Sequence, residues 1–284
     1  MSNEKNNLKS LKNNGFLPQK QDHKFSMRTH LVGGYVEANQ LRALADAAEK
    51  YGAGHIHITS RQGAEIPFVD LDDVANISEE MKYSGLFGGA SGQKVRGVVS
   101  CQGNTVCNHG LINCPELAAR IDEIYFGTYV PKKFKIAITG CPASCMKPQE
   151  NDFGIMGVVR PEWVENNCVA CGLCEKVCKA GAITIDNGQV DIDSNSCIYC
   201  GECITSCKKD AILGVESGYT IFVGGKVGRF PRACDKLIEL TDEQSLFSIL
   251  EKTLAYYRKY GQDGERFGDL LDRRGFAEYR DAVL

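Results

Sequence analysis

Of the fourteen cysteines in this 284-residue chain, twelve fall into three groups of four. Cys101 and Cys107 form C-x5-C, and Cys141 with Cys145 forms C-x3-C. Cys168, Cys171, Cys174 and Cys178 form C-x2-C-x2-C-x3-C, a run that Cys197, Cys200, Cys203 and Cys207 repeat. Cys114 and Cys234 stand outside the three groups. Disulfides are rare in a reducing compartment, so this many thiols point to metal or redox chemistry. Cations form the second set of residues suited to chemistry. Alternation places Arg28 and His30 opposite Phe25, Met27 and Leu31, and His55, His57, Thr59 and Arg61 opposite Ile56 and Ile58. It also places Lys133 and Lys135 opposite Phe134, Ile136 and Ile138. These polar faces carry cations and no acids, which suits an anionic ligand.

The two long cysteine runs form an internal repeat, offset by 29 residues from Cys168 to Cys197. Zinc ribbons pair one C-x2-C with a distant second, whereas three closely spaced cysteines, twice over, suit two [4Fe–4S] cubanes. In two-cluster ferredoxins the last cysteine of each run ligates the other cluster. Cys168, Cys171, Cys174 and Cys207 are therefore expected to hold one cluster, and Cys197, Cys200, Cys203 and Cys178 the second. The proline usual after the fourth cysteine is replaced by Lys179 and Lys208, which changes a turn preference but no ligand.

C-x5-C followed by C-x3-C, with FSMRTHLVGG (25–34), HITSRQ (57–62), KVRGVVSC (94–101) and VPKKFKIAITGCPASC (130–145), resembles the sirohaem-dependent sulfite and nitrite reductases. The resemblance covers most of residues 25–160. It implies a third [4Fe–4S] cluster on Cys101, Cys107, Cys141 and Cys145, coupled to sirohaem through Cys145. It also implies a substrate site made of Arg28, Arg96, Lys133 and Lys135, with Arg61 on a sirohaem carboxylate. Lys226, Arg229 and Arg232, in VGGKVGRFPR (223–232), are further candidates for those carboxylates or ordinary surface cations. Lys135 favours sulfite, because the related nitrite reductases tend to carry asparagine there. The resemblance thus implies six-electron reduction of sulfite to sulfide. The alternatives are nitrite reduction to ammonia and a non-catalytic electron carrier.

The elements that must position these residues follow an α+β pattern. Residues 1–24 read as a flexible leader and 25–90 as a ferredoxin-like half. Residues 91–160 and 216–284 read as a sirohaem and cluster domain, interrupted by a two-cluster ferredoxin insertion at 161–215. Expected strands lie near 25–31, 54–59, 64–69, 94–100, 133–139, 153–160 and 219–225. Expected helices lie near 38–51, 71–84 and 114–125 and within 241–260. His30 and His55 read as structural or proton-donating groups, and Trp163 and residues 126–130 as packing. Such an insertion resembles the subunits of dissimilatory sulfite reductase and, more closely in size, a subunit of anaerobic sulfite reductase.

A formal charge of −3 gives no reason to expect nucleic acid. No apolar run reaches the length of a membrane span, and the polar start is not a secretory signal, so a cytoplasmic protein is expected. No G-x-G-x-x-G opens a helix after a strand, so a ferredoxin or separate donor subunits must supply electrons. The larger family members hold two copies of the reductase unit and this chain holds one, which implies a homodimer or a heteromeric complex.

Overall fold

The computed structural model describes Leu8 and residues 10–284. The expected leader at residues 1–7 and 9 lies outside the described residues. The rest of that leader is not loose throughout, since Phe16–Pro18 form strand β1 and the Phe16 ring is buried. The chain divides into two compact units. One comprises residues up to Ser100 with 115–136 and 254–279; the other comprises 101–114, 137–253 and 280–284. Residues 91–100 and 115–136 pack with the first of these units.

The first unit is built on an antiparallel sheet in the order β1, β2 (Lys24–Arg28), β4 (Ala64–Asp70), β3 (His57–Ile58). Alternation in β2 and β4 sends Phe25, Met27, Ala64 and Ile66 inward, and an irregularity at Phe68, with φ +67°, turns Val69 inward as well. The helices Ala38–Tyr51 and Val74–Tyr83 meet them with Leu44, Ala47, Ala48, Ile77 and Met81. Each fully buried Leu, Ile or Met contributes about 1.5–3 kcal/mol. The first helix starts where the Glu37 N–H donates to the Gln40 side chain, and ends at Gly52. A Cβ at Gly52 would stand 2.8 Å from the Pro67 carbonyl oxygen, so the close turn onto β4 requires glycine. β3 departs from expectation: it is a two-residue edge strand, and Ile58 is 65% exposed instead of facing the core. Strand structure near 94–100 shrinks to β5 (Val99–Ser100), with isolated bridges from Lys94 to Tyr129 and from Val95 to Phe134. Two C-terminal helices, Phe267–Arg274 and Phe276–Val283, were not anticipated; Phe267 and Tyr279 pack in an aromatic cluster with Phe134 and Tyr257.

In the second unit the strands run β11 (Asp235–Thr241), β10 (Ile212–Val223), β7 (Phe153–Trp163), β6 (Ile136–Thr139). β7 is buried from Phe153 to Val159, as its unbroken apolar run requires of a central strand. β7 and β10 pair antiparallel from Phe153↔Val223 to Trp163↔Ile212. The doubled cysteine segment is the excursion between these strands. It contains the short helices Leu173–Val177 and Glu202–Ser206 and a hairpin of β8 (Ile183–Asp186) and β9 (Gln189–Ile192). The hairpin turns at Asn187-Gly188, both with positive φ. The segment does not separate as a unit of its own, because β7 and β10 run continuously from it into the larger sheet.

Candidate functional site

In the first unit, Phe134 is fully buried against Tyr257 and Phe267, with ring centroids 5.8 and 5.4 Å away. That anchor turns its neighbours Lys133 and Lys135 to the opposite side. The Arg96 N–H donates to the Phe134 carbonyl at 2.8 Å, and its guanidinium donates to the Gly92 carbonyl at 3.0 Å. Arg61 leaves a tight turn in which the Thr59 hydroxyl accepts the N–H groups of Arg61 and Gly63. Its guanidinium donates to the Gly97 carbonyl at 3.0 Å. The neighbouring Gln62, with φ +58°, exchanges two hydrogen bonds with the Ser100 backbone at 2.8 and 2.9 Å.

Arg28, Arg61, Arg96, Lys133 and Lys135 together line one cavity of about 290 Å³, with His30 in its wall. Four sequence-distant segments thus converge. The absence of acids does not hold in three dimensions. Glu65, directly opposite Arg28 across β2 and β4, accepts from its guanidinium at 2.7 Å. Strand pairing decides that neighbour, and alternation within β2 alone gives no sign of it. His30 is likewise fixed by an unforeseen acid: Nε2 lies 2.7 Å from Asp122 Oδ2, and the ring stacks on Phe126 at 3.6 Å. The other Asp122 oxygen accepts the Val98 N–H. His55 and His57 are exposed and do not line the cavity.

In the second unit the first cysteine quartet gathers around two tight loops. Burial raises the Cys141 thiol, and the neighbouring Cys107, Cys101 and Cys145 raise it further. The Gly140 N–H donates to Cys101 Sγ at 3.1 Å. Cys114, left over by the spacing arithmetic, is fully buried 3.7 Å from Cys101. Their contact holds Cys101 down to about 5, against its burial, and raises Cys114. Either sulfur could be the donor of that contact. Nothing in linear spacing marks it.

The doubled segment repeats itself bond for bond. Ala170 donates to Cys168 Sγ and Tyr199 to Cys197 Sγ, each at 3.4 Å. Ala182 donates to Cys178 Sγ at 3.3 Å and Ala211 to Cys207 Sγ at 3.2 Å. Ala170 and Tyr199, Gly172 and Gly201, and Gly181 and Asp210 share positive φ at equivalent places. Cys168, Cys171, Cys174 and Cys207 line one cavity of about 190 Å³. Cys178, Cys197, Cys200 and Cys203 line another of about 20 Å³. Both quartets join the last cysteine of one run to three of the other. Among the described residues, no three or more His, Cys, Asp or Glu side chains converge to suit a single metal ion. All-thiolate quartets with backbone N–H groups aimed at sulfur fit iron–sulfur clusters.

The three return-segment cations behave differently. Arg232 is committed to Asp235 at 2.8 Å and to the carbonyls of Gly224 and Ala233. Arg229 is exposed and Lys226 half-buried on the same hairpin, where the two backbones of Lys226 and Arg232 pair. Cys234 is half-buried and belongs to none of the quartets.

Residues 91–284 match the nitrite and sulphite reductase 4Fe-4S domain, and residues 17–83 match the nitrite/sulfite reductase ferredoxin-like half domain. The chain belongs to the sulfite and nitrite reductase family. It is 37% identical over 254 residues to the coenzyme F420-dependent sulfite reductase of Methanocaldococcus jannaschii, covering 88% of this chain and 40% of that protein. It is 28% identical over 176 residues to an anaerobic sulfite reductase subunit of Salmonella typhimurium, covering 56% of this chain and 52% of that one. The chain thus spans about half or less of the length of these two relatives. Dissimilatory sulfite reductase I superposes with a TM-score of 0.77 at 21% identity, over 92% of this chain and 69% of that one, which shows a shared fold. No helix among the described residues of this family member is long and apolar enough to cross a membrane.

Proposed function

We propose that this reductase is a sirohaem-dependent enzyme of the cytoplasm that reduces sulfite to sulfide with six electrons. The observation that carries the reading is the cavity uniting Arg28, Arg61, Arg96, Lys133 and Lys135. Arg28, Arg61 and Arg96 are each oriented by a different contact, which supports a cavity preorganised for an oxyanion. The twelve thiolates would hold three [4Fe–4S] clusters, with Cys145 the link to sirohaem. When bound, these groups supply single electrons and the iron at which the anion is reduced. Arg28 and Arg96 bind the sulfite oxygens, Arg28 held in place by Glu65. Lys133 and Lys135 offset charge and donate protons, directly or through water, to the departing oxygens. Arg61 holds a sirohaem carboxylate. Lys226 and Arg229 are poised for others, whereas Arg232 chiefly braces its own hairpin.

A second copy, or a homologous subunit, supplies the other half of the pseudo-symmetric arrangement: the cations of one subunit face the sirohaem beside its partner's Cys145. A ferredoxin or separate donor subunits deliver the electrons. Anaerobically purified protein should contain three clusters and show the red absorption band of sirohaem; a chain that binds clusters without that band is an electron carrier. Steady-state rates with each anion should favour sulfite over nitrite, and a much higher catalytic efficiency for nitrite would overturn the substrate assignment.

A further inference from the structure

Strand β7 ends on Trp163, the one tryptophan of the chain. Its place is fixed on both sides. Trp163 pairs with Ile212 of β10, and the next residue, Val164, donates its N–H to the Ala211 carbonyl at 2.9 Å. The indole packs on the apolar core of the doubled segment, formed by Ile183, Val190, Cys203 and Ile212. Val190 and Ile212 line the cavity of the Cys168 quartet, whereas Ile183 and Cys203 line that of the Cys197 quartet. The core beneath the ring thus serves both sites. The indole nitrogen is buried, and among the described residues its N–H meets no acceptor, cysteine sulfur included. A buried donor that has lost water and gained no partner is costly, so a buried indole N–H ordinarily has one.

The internal repeat shows why this donor is exceptional. Trp163 stands five residues before Cys168, and five residues before Cys197 stands Ile192. Ile192 ends β9 and packs on the same core, but its side chain carries no donor. The backbone donors, in contrast, match: Ala170 and Ala182 in the first run have their counterparts in Tyr199 and Ala211 in the second. Two quartets with equivalent backbone N–H groups therefore differ by one side-chain N–H. A [4Fe–4S] cluster brings inorganic sulfides beside its thiolates, and hydrogen bonds to the sulfurs help to set its potential.

We infer that the Trp163 indole N–H donates a hydrogen bond to a sulfur of one of the two clusters in the doubled segment, and so raises the reduction potential of that cluster alone. The inference rests on the proposed three-cluster reading and goes beyond it by assigning a residue other than cysteine to one cluster. The sign follows from charge. Reduction adds an electron to an already anionic cluster, and a donor aimed at its sulfur stabilises the more negative state. One N–H serves one cluster, so the two potentials separate although the cysteine spacing of the two runs is the same.

Trp163→Phe keeps an aromatic ring in the core and removes the N–H. In EPR-monitored redox titrations of the full holoprotein it should lower the midpoint potential of one ferredoxin-type signal and leave the other in place. Trp163→Ile, which copies the residue of the second run, should move the same signal. A second measurement needs no variant. Since the chain has one tryptophan, growth on isotopically labelled indole marks this nitrogen alone, and the reduced protein should show its hyperfine coupling on the signal that moves. Unchanged midpoints, equal shifts of both signals, or no coupling to the labelled nitrogen would overturn the inference. Iron content short of three clusters in the unsubstituted protein would instead overturn the reading on which it rests.

Discussion

Replacing Glu65 by glutamine tests how the cationic cavity is balanced. Gln keeps an acceptor for Arg28 and removes the negative charge that Arg28 bears against behind the cavity lining. The Glu65 carboxylate lies 2.7 Å from the Arg28 guanidinium, so an anion on the far side of that guanidinium sits about 6 Å from Glu65. At that separation the repulsion is about 0.7 kcal/mol per ligand charge in a water-like medium and about 2.8 kcal/mol at an effective dielectric constant of 20. Arg28 is 37% exposed and Glu65 16%, so the weaker figure is the better guide. About 1 kcal/mol corresponds to roughly a fivefold gain in affinity. Calorimetric titration of the holoprotein with sulfite, at fixed pH and low salt, should therefore show Glu65→Gln binding several-fold tighter. The gain should shrink as salt is added. Turnover should rise less than affinity, because the amide orients Arg28 less firmly than the carboxylate does. Weaker binding in Glu65→Gln would refute the reasoning and show that orienting Arg28 outweighs the repulsion.

Lys135→Asn should reduce sulfite turnover more than nitrite turnover in steady-state assays; equal losses would argue against a selective role. Phe16→Ala should cost the first unit about 3–4 kcal/mol, read as an earlier midpoint in chemical denaturation, because the ring is buried at the outer strand of its sheet. Cys114→Ala should lower the midpoint potential of the cluster proposed on Cys101, Cys107, Cys141 and Cys145 and cost about 1 kcal/mol of stability through the lost hydrogen bond to Cys101, with iron content unchanged. Arg273 holds the Glu265 carboxyl below its ordinary value of 4.5 through paired hydrogen bonds, in spite of its burial. The stability this lends is complete above the ordinary value and is lost as pH falls through the depressed one. Thermal melts of Glu265→Gln should therefore depend less on pH on the acid side than those of the natural chain.

Much of the chemistry was legible in the residues because it depends on short spacing. A ligand loop is local: C-x2-C-x2-C carries its own turn, with left-handed φ at Ala170 and Tyr199 and glycine at 172 and 201, so the repeat in sequence is a repeat in backbone. The crossover of Cys178 and Cys207 was expected from the pattern of two-cluster ferredoxins, and the two cysteine-lined cavities group the residues in that way. Helices with a clear apolar stripe, such as Ala38–Tyr51 and Cys114–Tyr125, fell at the expected places. Periodicity failed where a strand is short or at an edge, as at Ile58, since two residues cannot show which side is covered.

The sequence by itself determined which side chains could ligate iron and which could hold an anion, because residue type and local spacing suffice for that. Only the tertiary structure decided their neighbours. Glu65 meets Arg28 through the register of β2 on β4, and Asp122 meets His30 across a long sequence interval. Cys114 lies against Cys101 because their loop closes on itself, which Gly103 and Gly140 permit by close backbone approach. Each of these depends on how distant segments pack, and packing is a property of the folded chain that no local pattern encodes.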